Sequence, residues 1–217
     1  MNNILYKSIL LALPLAFAAT SSLADDYQVT ITNLTQSQFF TPILVATHKR
    51  GMPVFIPGSA ASSDLEALAE GGDISLLKAT LDASSEVHET VASDGLLGPG
   101  QSVTLTLDDS KRFRYLSLAS MLIPTNDAFI GISGMKMPKK KNAPVMIPVP
   151  AYDAGTEMND ELCSNIPGPD CGGAGMSVEN GEGFISVHPG IHGVGDLAPG
   201  TYDWRNPAAM VKIERMN

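Results

Sequence analysis

Positive charge is scarce in this sequence. Fourteen lysines and arginines stand against 23 aspartates and glutamates, giving a net charge of −9. That balance argues against nucleic acid or an anionic membrane as the main partner. Aromatic residues make up only 6% of the chain, with a single tryptophan, while glycine and proline are plentiful. Short apolar runs separated by turn residues suit an all-β domain better than a helical one. Long apolar runs are also missing. The longest, residues 8–19, is interrupted by Pro14 and falls short of the roughly 20 residues that a membrane-spanning helix needs. No membrane span is expected.

That run reads instead as the apolar centre of a signal peptide covering residues 1–24. Lys7 supplies the positive start, and Ser22-Leu23-Ala24 places small residues at the cleavage positions. No cysteine stands just past the cleavage site, which disfavours a lipoprotein. The mature domain is expected over residues 25–217, exported to the periplasm or the extracellular space. Cysteine is nearly absent too. Cys163 and Cys171 are the only two, and in an oxidising compartment they should form a disulfide.

What is present is a set of alternating strands. Tyr27, Val29 and Ile31 alternate with polar residues, as do Val103, Leu105 and Leu107. Further strands are expected over 43–46, 113–123, 128–133, 146–151, 184–188 and 211–215. Residues 102–133 read as an antiparallel meander. One helix is expected with Ser63 as its cap and Glu66 completing a capping box. It would end at Gly71-Gly72, with a second short helix starting near Asp73, and the two would plug an end or edge of a sandwich. Asn33-Leu34-Thr35 matches a glycosylation acceptor pattern.

Two loops carry candidate chemistry. Tyr152-Asp153-Ala154-Gly155-Thr156-Glu157 sets two carboxylates and a hydroxyl around a glycine that permits a sharp turn. Pro124-Thr125-Asn126-Asp127 repeats that chemistry after another apolar run. Hard oxygen ligands of this kind suit Ca²⁺, which takes 6–8 of them. The candidate metal ligands are Asn126, Asp127, Asp153, Thr156 and Glu157. The competing reading leaves these acids as solvated turn residues, and it expects Asp127 and Asp153 to lie far apart.

Taken in order, several segments resemble the spondin N-terminal domain family. They include the strand 27–33, Gly58-Ser59-Ala60-Ala61-Ser62, the run 68–73 and Leu97-Gly98-Pro99-Gly100. Residues 120–127 and 152–157 continue the likeness, which covers nearly the whole mature chain. The resemblance implies a C2-like antiparallel β-sandwich with one or two short helices, holding calcium in loops at one end. It implies that Asp127 and Asp153 match the family's loop aspartates, while Glu157 replaces a residue that is usually Asp. Animal members carry Trp-Phe after the first aspartate, where this chain has Ala128-Phe129, and they continue into thrombospondin-type repeats. This chain stops at Asn217 and is therefore expected to be a stand-alone bacterial member.

The function expected from these features is a calcium-binding recognition or adhesion module, not an enzyme. Its partner would be an extracellular protein or glycan. A secreted calcium-dependent hydrolase is the rival. No nucleophile elbow is present, and Pro189 and Gly190 break the His188–His192 spacing that a helical zinc pair requires. Lys136, Lys139, Lys140 and Lys141 form a basic cluster read as a solvated hairpin loop, with an anionic glycan or headgroup as the alternative ligand. Trp204 is expected half in the core and half at its rim.

Overall fold

The computed structural model describes residues 26–176 and 180–216. The expected signal peptide at 1–24 lies outside the described residues. The strands are β1 (Asp26–Asn33), β2 (Phe39–Phe40), β3 (Leu44–His48), β4 (Val87–Ala92), β5 (Ser102–Asp108) and β6 (Tyr115–Ile123). They continue with β7 (Ala128–Lys136), β8 (Val145–Val149), β9 (Ala151–Asp153), β10 (Ser186–Val187) and β11 (Ala209–Arg215). Helices α1 (Ser63–Gly71) and α2 (Ser75–Asp82) fall between β3 and β4, and the short α3 (Pro199–Tyr202) precedes β11.

The strands form two antiparallel sheets, as an all-β sandwich requires. One has the order β5-β1-β11-β8. The other runs β10-β9-β7-β6-β3-β4, with β2 also pairing β6. Tyr27, Val29 and Ile31 of β1 meet Leu105, Leu107, Leu118, Leu122 and Ile130 in the core between the sheets. The outward side chains of β1 and β5 are polar, and Thr30–Thr104 and Thr32–Ser102 hydroxyl pairs link them. Alternation in sequence and one solvated face therefore go together.

β3 and β6 lack that alternation because both of their faces are covered. Leu44, Ala46, Ala119 and Phe129 point away from the sandwich into a second core with Leu65, Leu68, Leu77 and Leu81 of α1 and α2. The helices thus form a third layer on the face of the second sheet, not a plug at its end. Their caps also differ from expectation. Ser62 is the N-cap of α1, its Oγ accepting the Leu65 N–H at 3.3 Å, so Glu66 lies one place beyond the capping-box position. Gly72 closes the helix in the left-handed conformation at φ 67°, its N–H bonding the Leu68 carbonyl.

The meander expected over 102–133 is corrected as well. β5 belongs to the first sheet and β6 to the second, so residues 109–114 cross between layers. β5 keeps one face in solvent while β6 is buried almost throughout, in keeping with their places in different sheets. Within that span only β6–β7 is a hairpin. For the same reason residues 137–144 join β7 to β8 across the sandwich and are not a hairpin loop. β2 and β4 are too short or too polar to stand out in sequence.

Asn33 is fully buried. Its amide donates to the Gln38 and Leu97 carbonyls, and its Oδ1 accepts from Thr35, so the acceptor pattern is a folded turn and not a glycan site. Trp204 is also in the core, only 7% exposed. Cys163 and Cys171 form the expected disulfide. Converting both to serine is expected to cost about 2–3 kcal/mol in urea unfolding, the chain-entropy value for so short a loop. Among the described residues no helix is long and apolar enough to cross a membrane.

Candidate metal centre

The β6–β7 hairpin turns at residues 124–127. Thr125 fixes the turn by donating its hydroxyl to the Leu122 carbonyl and accepting the Ala128 N–H. The next strand in the sheet, β9, sets Asp153 opposite Ala128. Two distant segments are thereby stitched together: Ala154 N–H donates to the Asp127 carbonyl at 3.3 Å. Asp127 and Asp153 are neighbours, contrary to the reading that kept them apart.

Asp127 is fully buried. Its Oδ2 accepts the backbone N–H groups of Thr156 at 2.8 Å and Glu157 at 3.1 Å, with the Thr156 hydroxyl at 3.3 Å. Its Oδ1 is buried with no hydrogen-bond partner. Asp153 Oδ1 accepts the Gly155 N–H at 2.7 Å, and its Oδ2 accepts the Asn159 amide at 2.6 Å. Burial pushes the Asp127 carboxyl up to about 6, against hydrogen bonds from Glu157 and Thr156 that pull it down. Asp153 is pushed up to about 7, first by burial and then by the charge of Asp127. Glu182 adds a further negative charge to both. Among the described residues no lysine or arginine pairs with either carboxylate.

The remaining expected ligands are placed as follows. Glu157 is buried beside Asp127. Thr156 uses its hydroxyl to support Asp127. Asn126 is buried, but its side chain is engaged elsewhere: Oδ1 accepts the Glu161 N–H, and the amide donates to Asp160. It holds the 159–161 turn against the hairpin.

Sequence reasoning passed over the support beneath this site. Asn159 bridges Asp153 to His188, its Oδ1 lying 3.0 Å from His188 Nε2. The Gly190 N–H donates to His188 Nδ1, so the ring proton sits on Nε2 and is donated to Asn159. His188 is buried against Trp204, and burial lowers its pKa to about 4. The buried Glu161 carboxylate accepts three successive N–H groups, from His192, Gly193 and Val194. A dense run of polar residues, Asn159-Asp160-Glu161, was the available signal.

A cleft of about 400 Å³ adjoins the site, lined by Ala60, Ala61, Glu66, Gly155, Thr156, Asn180, Gly181 and Gly183. Among the described residues no group of three or more His, Cys, Asp or Glu is arranged as a ready metal-ligand cluster. The donor chemistry nonetheless fits a hard cation. Two adjacent buried carboxylates lack a counter-charge, and the Asp127 Oδ1 lacks a partner.

The family model described as Spondin_N matches residues 26–165, from β1 through both acidic loops to just past Cys163. Glu182 and His188 fall beyond the match. No curated protein matches the chain.

Proposed function

The chain belongs to the spondin N-terminal domain family, and from that premise we propose that it is an exported, calcium-binding recognition module. The family is an extracellular-type, non-catalytic module, and the disulfide is in keeping with an oxidising compartment. The finer reading is that residues 1–24 are removed on export and that the domain works in the periplasm or outside the cell. There it would bind an extracellular protein or glycan and not turn over a substrate.

The observation that carries the calcium reading is the uncompensated Asp127–Asp153 pair with its partnerless Oδ1. Asp127, Asp153 and Glu157 would hold the ion, with Thr156 and Asn126 positioning the loops around them. Bound calcium would supply the missing positive charge. It would thereby fix the 124–127 and 153–157 loops beside the adjoining cleft, which is the surface offered for recognition. Among the described residues no acid is hydrogen-bonded to His188, and both of its ring nitrogens are engaged, by the Gly190 N–H and by Asn159, which speaks against its use as the base of a hydrolase.

The test is thermal unfolding of residues 25–217 in calcium and in chelator. At a hundredfold excess over Kd, mass action gives a stabilisation of about 2.7 kcal/mol. The gain should vanish in an Asp127→Ala/Asp153→Ala variant. An equal melting temperature with calcium and with chelator in the wild type would remove the calcium claim.

A further inference from the structure

The lysines and arginines of this acidic protein are gathered at one pole. Segments 49–50, 111–114 and 136–141 carry nine of the 14 in the chain. The strand register brings them together: Tyr115 at the start of β6 pairs with both His48 and Lys136. Direct contacts join the segments into one surface. Lys49 lies over the Phe113 ring, Met137 N–H donates to the Arg114 carbonyl, and Arg215 bridges the Lys139 carbonyl to the Asp109 carboxylate. β6 runs its full nine residues from this pole to the acidic hairpin, a distance of about 30 Å. The molecule is therefore strongly bipolar.

The acids at this pole, Asp26, Glu86, Glu89, Asp108 and Asp109, are fewer than the nine bases of the three segments. Glu86 pairs with Lys49, and Asp109 with Arg215 from outside those segments. Arg50, Lys111, Arg112, Lys136, Lys139 and Lys140 make no ion pair among the described residues. All six are exposed.

We propose that this basic pole is a second binding surface, independent of the calcium loops, for a soluble anionic polysaccharide bearing sulfate or phosphate groups. A net charge of −9 repels polyanions from the molecule as a whole, so only a local cluster of this size can hold one. A flexible chain can follow the pole while keeping clear of the acidic end. A membrane surface fits less well. Apart from Met146 and Met216, the exposed large apolar residues lie away from these basic segments, leaving little to insert between lipids.

The experiment measures binding of the mature domain to dextran sulfate, in calcium and in chelator, from roughly 50 to 300 mM salt. Wild-type affinity should be the same in calcium and chelator, and should fall steeply with salt. Lys139→Glu/Lys140→Glu and, separately, Arg112→Glu should each weaken it, the double variant by at least about tenfold. Arg205→Glu changes the charge by the same two units as Arg112→Glu but outside the three segments, and it should leave binding unchanged. Binding that is absent at low salt, insensitive to both pole variants, or lost equally in Arg205→Glu overturns the proposal. Tighter partition onto phosphatidylglycerol vesicles than onto the polysaccharide also overturns it, reassigning the pole to membranes. Because the readout persists in chelator, failure of the calcium reading leaves this test intact.

Discussion

In chelator at pH 8, Asp127→Asn is expected to unfold at a higher temperature than the wild type, and in millimolar calcium the order should invert. The carboxylate is fully buried, its Oδ1 has no partner, and Asp153 lies beside it. Asparagine keeps an oxygen for the Thr156 and Glu157 N–H groups and removes a charge that is expensive to bury. Relief of that charge should raise calcium-free stability by roughly 1–3 kcal/mol. The same change removes a proposed calcium ligand, so on that proposal the variant should gain nothing from the ion. A variant equally destabilised in calcium and in chelator would mean that Asp127 only anchors the 156–157 turn.

The pH dependence follows from the same shifts. Asp127 and Asp153 have folded pKa values raised to about 6 and about 7, so the native state holds protons that the unfolded chain has released. Calcium-free stability is therefore lost as pH rises from about 4 through about 7. His188 acts in the opposite sense. Its folded pKa of about 4 lies below the unfolded value, so stability is lost as pH falls from about 6.5 toward 4. The two slopes oppose each other in acid. Between about pH 7 and 8 His188, and His48 whose pKa burial also lowers, are mostly neutral in both states, so the carboxylates dominate the slope. In that window the wild type should lose stability with rising pH, and Asp127→Asn should be flatter.

The parts of the fold legible in sequence are those whose burial is one-sided. β1 and β5 alternate because one face meets solvent, and the 3.6-residue spacing of Leu65 and Leu68 marked α1. β6 was visible as a strand, yet nothing in an unbroken apolar run says which layers it lies between. The sequence therefore reads the helices as a plug for an end or edge of the sandwich, whereas they cover the outer face of its second sheet. The candidate site divides in the same way. Asp127 and Asp153 announced themselves by residue type, whereas their adjacency depends on the β7–β9 register. The support from Asn159, Glu161 and His188 arises where irregular loops meet. Glu161 adopts φ 55°, a conformation that no pattern of apolar residues encodes. The basic pole was half seen: the 136–141 cluster is contiguous in sequence, while its junction with 49–50 and 111–114 exists only through strand pairing.

Gly155→Ala is expected to be among the most damaging single substitutions in the protein, at about 3–5 kcal/mol. Gly155 sits at φ 71°, where an L side chain is strained by roughly 1 kcal/mol or somewhat more. The larger part comes from crowding against backbone. A Cβ there would stand 2.4 Å from the Phe184 carbonyl oxygen and 2.8 Å from its nitrogen, atoms that cannot rotate away. Gly181 lies against the same backbone, where a Cβ of its own would stand 2.5 Å from the Gly155 carbonyl oxygen, and the Gly183 N–H bonds that carbonyl. These contacts hold the turn that delivers Asp153, Thr156 and Glu157 around Asp127, so the variant should also lose its calcium response. Gly58→Ala is the control: φ is 85° with nothing within 4 Å, and it should cost only the strain, about 1 kcal/mol. Urea unfolding of the two variants separates the contributions. Equal costs would show that the 181–184 segment yields freely, and that the acidic loop is not held in place by it.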